Sequence, residues 1–133
     1  MTSTSTGETV RVADTSFLYA LFSRSDLFHA RAVRAAASAQ PIAIPAEIMS
    51  ETIALIHYRQ TFDVARAAGE WIRAQPHIEV GVSSPSLLEA AWSVFARGRG
   101  RMSYPDSVVV AWCRPRGFVP LAYDSRILAE ARK

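Results

Sequence analysis

The fold is decided by residues 10–22, VRVADTSFLYALF, in which a short apolar run ends on an acid and a helical pattern follows at once. This order predicts a buried β-strand that delivers Asp14 to its carboxyl end, with Thr15 or Ser16 capping the next helix. Ligands of open α/β sheets bind in the crevice at the carboxyl ends of the strands. Asp14 is therefore either a hydrogen-bond acceptor for its own turn or part of a site, and partners elsewhere in the chain decide between the two.

The size and composition are those of one globular domain. The chain has 133 residues, of which 50% are hydrophobic and 20% are charged, enough for a proper core. Its apolar runs are too short to span a bilayer, so we expect no membrane segment. We expect a disordered tail at residues 1–9, which are mostly small and polar, and a domain at 10–133. A single cysteine, Cys113, cannot form an internal disulfide, which favours the reducing cytoplasm.

The basic residues are almost all arginines. The net charge is +3, and Lys133 is the only lysine. Arginine binds phosphate with two parallel hydrogen bonds and stacks on bases, so an anionic polymer is a plausible partner. Arg97, Arg99 and Arg101 alternate with glycines in a predicted flexible loop just before Asp106. These three arginines either belong to a solvated connector or steer RNA phosphates toward that acid.

Strands and helices alternate along the sequence. The predicted strands lie at about residues 10–14, 41–45, 77–82 and 118–122, and the predicted helices at 16–22, 25–39, 46–59, 61–75, 85–95, 106–114 and after Asp124-Ser125. In the second helix we expect Ser25 to be the cap. Such βαβ units predict a parallel sheet of four to five strands with helices on both faces, which is a three-layer α/β/α domain.

Three acids occupy positions where a solvated surface does not account for them. Asp14 and Asp124 both end apolar strands, so both project at the same edge of the sheet. Asp106 lies in the first turn of a helix, just after the arginine-rich segment. The predicted topology therefore directs these carboxylates toward one region.

A fourth acid, Glu51, lies within the apolar helical stretch 48–56. Burying an unpaired carboxylate is costly, so Glu51 is expected to need a partner or a cation. Glu47, one turn earlier on the same face, competes for this role. We prefer Glu51 because the helix dipole alone explains an acid near a helix start.

Carboxylates that gather within a few ångströms repel one another and raise one another's pKa. A divalent cation reverses that balance, and oxygen ligands without histidine or thiolate suit Mg²⁺ or Mn²⁺. Such a site fits phosphodiester hydrolysis, in which the metal activates water and stabilises charge on the leaving oxygen.

Four segments together resemble a known family. They are Ala13–Leu18 (ADTSFL), Ser50–Leu55 (SETIAL), Tyr104–Ala111 (YPDSVVVA) and Leu121–Arg126 (LAYDSR). In this order and spacing the chain resembles the PIN-domain ribonucleases, specifically the VapC-like toxins of toxin–antitoxin pairs, from Val10 to about Leu128. The resemblance implies a PIN-like α/β/α domain that acts as an endoribonuclease dependent on Mg²⁺ or Mn²⁺.

The resemblance also assigns roles to individual residues. Asp14, Glu51, Asp106 and Asp124 match the acidic quartet of the family, which implies that they bind the metal ion directly or through water and carry catalysis. Ser16 matches a small hydroxyl residue that helps to hold the first aspartate or a metal-bound water. The family's sheet order implies that the first strand lies beside the last one, which places Asp14 near Asp124.

One position departs from the family pattern. Ala122 stands where many members have threonine, two residues before the last acid, so one hydrogen bond to the site is in doubt. The resemblance further implies an RNA substrate, a homodimer, and an antitoxin whose C-terminal segment wraps the toxin and covers the cleft.

Other chemistries fit less well. His29, His57 and His77 lie in different elements and share no motif, which disfavours metal-free cleavage of RNA by paired histidines. The sequence has neither a G-x-S-x-G elbow nor a glycine-rich phosphate loop. A phospho-acceptor aspartate needs a nearby lysine or a second aspartate two residues on, whereas the one lysine is terminal and Ser16 holds that position.

The remaining alternative is a catalytically silent PIN-fold module that binds RNA or another protein. Degenerate members of the family lose metal-binding acids, whereas all four are present here. A purely basic RNA-binding module usually shows aromatic stacking platforms among its arginines. The aromatic residues near arginines in this chain are better explained by helix packing.

Overall fold

The computed structural model describes residues 8–133 and shows a three-layer α/β/α domain. Its sheet is formed by β1 (Arg11–Ala13), β2 (Ile42–Pro45), β3 (Ile78–Gly81) and β4 (Val119–Leu121). The strand order is β3-β2-β1-β4, and every pairing is parallel. The predicted fold class is confirmed, with four strands. The predicted tail at 1–9 falls mainly on residues 1–7, which lie outside the described residues.

The helices supply the crossovers that parallel strands require. They are α1 (Thr15–Phe22), α2 (His29–Ala37), α3 (Ala46–Arg59), α4 (Phe62–Ala74), α5 (Pro85–Gly98), α6 (Tyr104–Cys113) and α7 (Ser125–Ala131), with a 3₁₀ turn at Arg114–Arg116. Within residues 8–133, no helix has the length and apolar character needed to cross a membrane.

Helix α6 is the most buried helix of the fold. Every residue from Ser107 to Cys113 is buried, and the helix contacts α5, α7 and the strands β1, β2 and β4. A helix that is apolar all round belongs in the interior. The same burial raises the pKa of the Cys113 thiol to about 12, so this cysteine is an inert core residue. Helix α6 therefore fixes the position of whatever its first turn carries.

The start of α2 differs from the prediction. Ser25 does not cap this helix, which begins at His29 without a side-chain cap. Instead the Asp26 carboxylate accepts a hydrogen bond from the Phe28 backbone N–H at 2.9 Å. This local side-chain bond satisfies the backbone in a turn and so competes with the helix. Leu27, which lies in this turn rather than in the helix, is 89% exposed.

The end of α5 also differs from the prediction. The helix continues to Gly98, so Arg97 is helical rather than part of a loop. Arg99 ends the helix in the left-handed conformation, with φ 51° and ψ 44°. A glycine near a helix end weakens the helix without breaking it. Of the three arginines in the predicted loop, Arg97 is therefore helical, Arg99 is the C-cap, and Arg101 follows the helix.

We predict that Gly81→Ala destabilises the protein by about 1–3 kcal/mol, because a Cβ at Gly81 lies 2.7 Å from a ring carbon of the buried Trp112. The Trp112 Nε1 donates to Ser83 at 2.9 Å, so its ring is not free to move aside. Urea unfolding measures the change. Gly98→Ala is the matched control, since nothing lies within 4 Å of its added methyl group, and equal midpoints for the two variants contradict the prediction.

Candidate active site

Asp14 lies at the carboxyl end of the central strand β1 and is 2% exposed. It is itself the N-cap of α1, with Oδ1 accepting from the Phe17 N–H at 2.9 Å, so the prediction that Thr15 or Ser16 is the cap is wrong. The Ser16 hydroxyl donates to the Asp14 carboxylate at 2.8 Å and accepts from the Tyr123 N–H at 3.2 Å. Asp14 is thus both the helix cap and the candidate site residue, and its carboxylate is held in a fixed orientation.

Asp124 reaches the same edge from β4. Strands β1 and β4 are parallel neighbours, with Ala13 opposite Leu121, and Asp124 follows β4 as the N-cap of α7. The strand order that the family resemblance implies is therefore present. Ala122 is buried, and the backbone next to it is tied to Asp14 through Ser16 rather than through a threonine hydroxyl.

Asp106 is presented by the buried helix α6. The Ser103 hydroxyl caps this helix by accepting from the Asp106 N–H at 3.2 Å, so α6 begins at Tyr104, two residues earlier than predicted. This start places Asp106 in the first turn, as expected. Because the rest of α6 is locked into the core, the position of this acid is set by the core packing.

Glu51 lies on the exposed side of α3, so the expectation that it is buried was wrong. The buried stripe of this helix is formed by Ile48, Thr52 and Ile56, which leaves Glu51 next to the stripe rather than on it. The Thr15 hydroxyl donates a hydrogen bond to the Glu51 carboxylate. This contact links Glu51 to the first turn of α1, whose N-cap is Asp14.

Glu47 has a different partner. The buried Ser83 hydroxyl donates to the Glu47 carboxylate at 2.9 Å and accepts from the Trp112 Nε1 at 2.9 Å. Glu47 is thus tied to the segment between β3 and α5. The sequence leaves either glutamate as the fourth acid of the site. Their hydrogen-bond partners distinguish them, because Glu51 binds Thr15 of α1 and Glu47 binds Ser83.

The acids also affect one another electrostatically. Burial raises the pKa of Asp14 to about 6, against the stabilising hydrogen bonds from Phe17 and Ser16, and the charges of Asp106 and Asp124 raise it further. Burial raises the pKa of Asp106 as well, with Glu51 and Asp124 adding to the shift. All four sequence-predicted acids therefore belong to one electrostatic cluster, which we call the acid cluster.

Asp124 differs because an arginine sits on it. The Arg126 side chain donates to both Asp124 oxygens, from Nη2 at 2.8 Å and from Nε at 3.1 Å, and lowers the pKa of this carboxyl. Its Nη1 donates to the Arg101 carbonyl at 2.6 Å. Sequence reasoning gave Arg126 no role, although an arginine two residues after a strand-end acid was a usable signal. The same reasoning also missed the bond between Thr15 and Glu51.

The donor set fits a hard divalent cation. Every side chain of the acid cluster offers carboxylate oxygens, the ligands preferred by Mg²⁺ and Mn²⁺. In the described part of the chain, residues 8–133, no three His, Cys, Asp or Glu side chains are arranged to hold a metal ion. Arg126 engages both oxygens of Asp124 and has to be displaced for direct ligation, whereas Glu51 can ligate through Oε2, which Thr15 does not engage. Both acids can respond by side-chain rotation, because neither is fully buried.

A cleft of about 550 Å³ opens beside the acid cluster. Ser16, Asp124 and Arg126 line it, together with the aromatic residues Tyr19 and Tyr123. The three arginines predicted to steer RNA do not line this cleft. Arg97 and Arg101 line a second cavity, described below, whereas Arg99 lines neither of the two.

The chain is similar to known proteins in both sequence and structure. The chain matches the PIN domain family over residues 11–133. The chain belongs to the PIN domain family. It is similar to VapC20 of Mycobacterium tuberculosis, a Sarcin-Ricin loop cleaving toxin, with 27% sequence identity and a TM-score of 0.78, over 90% of this chain and 93% of that one. The resemblance to VapC-like PIN proteins is thereby confirmed.

A second solved structure shares the PIN fold at low sequence identity. The structure of VapBC2 from Rickettsia felis, bound to a DNA fragment from their promoter, has a TM-score of 0.68 and 7% identity, over 91% of this chain and 94% of that one. At this identity the likeness concerns the fold alone. No curated protein matches the sequence.

We predict that Asp14→Asn stabilises the metal-free protein at pH 7.5 by about 1–3 kcal/mol, because asparagine caps a helix as well as aspartate does and carries no buried charge. The pKa of Asp14 is raised to about 6, so its stabilising contribution is present below pH 4 and is lost as the pH rises through 6.

Thermal melts in EDTA from pH 4.5 to 7.5 measure this effect. The melting temperature of the wild type should fall relative to that of Asp14→Asn across this range. A constant difference between the two proteins contradicts the raised pKa. Ser38→Ala, an exposed change outside the acid cluster, controls for the general pH response.

Proposed function

We propose that this protein is a metal-dependent endoribonuclease that hydrolyses RNA phosphodiester bonds and is the toxin of a toxin–antitoxin pair. The observation that carries the proposal is the buried carboxylate of Asp14, whose pKa is raised by burial and by two neighbouring acids at the ligand-binding edge of a PIN fold. Such an arrangement is unfavourable for folding and favourable for binding a cation.

The acids have distinct roles in this proposal. Asp14 is the fixed ligand, because Phe17 and Ser16 hold its carboxylate in place. Asp106 is the second fixed ligand, positioned by the buried α6. Asp124 and Glu51 are the adjustable ligands that complete the site. A bound Mg²⁺ or Mn²⁺ ion supplies Lewis acidity, which activates water and stabilises charge on the leaving oxygen.

RNA as the substrate is supported by the relative that is described as a Sarcin-Ricin loop cleaving toxin and by the basic character of this chain. Arginines on the surface attract a polyanion and hold its phosphates. An RNA substrate of this kind is consistent with an activity in the cytoplasm.

Protein partners belong to the same proposal. The resemblance to VapC-like toxins supports a cognate antitoxin and a homodimer. A partly exposed aromatic cluster supports the homodimer. Trp92, which is 57% exposed, packs with the partly buried Phe95 and Tyr104, and the ring centroids are 5.5–6.3 Å apart. Exposed apolar patches of this kind mark protein interfaces.

The alternative is a catalytically silent PIN module, and one observation favours it. Arg126 occupies both oxygens of Asp124, so in this state the acid is neutralised by the protein itself. If that pair persists when Mg²⁺ or Mn²⁺ is added, the site cannot close around an ion. A measurement of metal binding therefore distinguishes the nuclease from the silent module.

We expect purified protein to cleave single-stranded RNA in Mn²⁺ or Mg²⁺ and to stop when EDTA is added. Asp14→Asn should lower the cleavage rate by about 100-fold or more, because a fixed ligand is lost while the metal-free fold becomes more stable. Denaturing gels of defined RNAs measure the rate. Undiminished cleavage by Asp14→Asn, purified free of host nucleases, excludes Asp14 from the active site.

Manganese binding gives a readout that does not depend on cleavage. Mn²⁺ should raise the melting temperature of the wild type but not that of Asp14→Asn, because a ligand that binds only the folded state stabilises it. If Mn²⁺ leaves the wild type unchanged at millimolar concentration, the silent module becomes the better description.

The two glutamates of α3 can be separated in the same assays. Glu51→Gln should lower cleavage by about 10–100-fold, because it removes a charge from the acid cluster. Glu47→Gln should keep cleavage within about threefold of the wild type, since an amide oxygen can still accept from Ser83. Equal losses in both variants show that Glu47 shares the role of Glu51.

A further inference from the structure

A second and larger cavity lies between the C-terminal part of α5, residues 101–102 before α6, the 3₁₀ turn at Arg114, and α7. Its volume is about 820 Å³, within the range of ligand-binding pockets. The charged residues that line it are Arg97, Arg101, Arg114, Arg126, Lys133 and Glu130. Val94 and Met102 contribute an apolar wall. We call this feature the basic cavity.

The positive charge of the basic cavity is only partly neutralised. Glu130 pairs with Arg114 at 3.0 Å and with Lys133 at 2.9 Å, so one carboxylate serves two cations. Within residues 8–133, neither Arg97 nor Arg101 forms an ion pair. The Arg101 Nε donates to the Gly98 carbonyl at 3.0 Å, so the Nη groups of Arg101 and the guanidinium of Arg97 are the donors offered to an anionic ligand.

The basic cavity and the cleft beside the acid cluster share Arg126 as a lining residue. This arginine donates to Asp124 with one part of its guanidinium and to the Arg101 carbonyl with another. The two cavities are therefore adjacent, with the Arg126 side chain between them.

We propose that the basic cavity binds the single-stranded RNA nucleotides next to the phosphate that is cleaved at the acid cluster. Arg97 and Arg101 hold backbone phosphates, and the wall of Val94 and Met102 receives a base. This inference rests on the proposed function and adds to it the path of the substrate. Cationic grooves with apolar platforms are the usual means of binding single strands.

Arg99 provides a built-in control. It lies between the two cavity arginines in sequence, carries the same charge, and is exposed, but it does not line the basic cavity. General attraction of a polyanion depends on all three charges alike. Binding in the basic cavity depends on Arg97 and Arg101 only.

The experiment measures binding of a fluorescein-labelled single-stranded RNA by anisotropy in EDTA, where cleavage does not interfere, at several salt concentrations. The variants are Arg97→Gln/Arg101→Gln, Arg99→Gln, and Arg97→Lys/Arg101→Lys. We expect the double Gln variant to bind at least about 10-fold more weakly and to lose about 1.4 from the slope of log affinity against log salt, or about 0.7 for each phosphate contact. Arg99→Gln should change affinity less than about twofold, and the Lys variant should restore the salt slope.

Three results overturn the proposal. One is an equal loss of affinity in the double Gln variant and Arg99→Gln, which indicates general electrostatic attraction. Another is unchanged RNA binding by the double Gln variant with an intact thermal melt. The third is unchanged RNA binding with weakened binding of polyglutamate, which identifies the basic cavity as a site for an acidic polypeptide.

Cleavage kinetics keep this inference separate from the proposed function. If the wild type cleaves RNA and the double Gln variant does so with an unchanged KM, the basic cavity is excluded and the nuclease stands. If the wild type binds RNA through the basic cavity but does not cleave it in Mn²⁺, the nuclease is excluded and the cavity stands. A raised KM with little change in kcat supports both.

Discussion

The site is organised around the buried carboxylate of Asp14. This carboxylate is 2% exposed at the end of the central strand, and it caps a helix and accepts from Ser16. Those hydrogen bonds favour the charged form, yet burial and two neighbouring acids outweigh them and raise its pKa to about 6. The fold thus holds a charge that it stabilises incompletely. In the proposed function, a cation at this edge would supply the missing stabilisation, so that the folding penalty and the catalytic role would fall on one residue.

Arg126 supplies part of that positive charge in the structure as it stands. Its pair with Asp124 is largely solvent-exposed, with the two side chains 61% and 25% accessible. Exposed ion pairs stabilise a protein only weakly, so a divalent ion can displace this arginine at little cost. Displacement of Arg126 by the ion would remove the one observation that favours the silent module. Asp124 and Arg126 can thus change partners while Asp14 and Asp106 stay in place.

Much of this arrangement could be predicted from sequence because parallel topology is a strong constraint. Once strands alternate with helices, Asp14 and Asp124 have to meet at one edge, and the apolar run after Asp106 has to be buried. The exposure of Glu51 could not be predicted from its apolar neighbours, since rotation of α3 is set by packing against other elements. The cap at Asp14 and the late start of α2 were missed because side-chain to backbone bonds compete with helix patterns at short range.

The positions of Arg97, Arg99 and Arg101 also could not be predicted from sequence. In sequence, Arg97, Arg99 and Arg101 alternate with glycines and look equivalent. The helix continues to Gly98 and ends at Arg99, which has the left-handed conformation. Arg97 is therefore in the last helical turn, and Arg101 lies two residues beyond the helix end. Two of three similar charges consequently line the basic cavity while the one between them does not. A helix that is about one turn longer than the pattern suggests thus determines which arginines line the cavity that we propose for RNA.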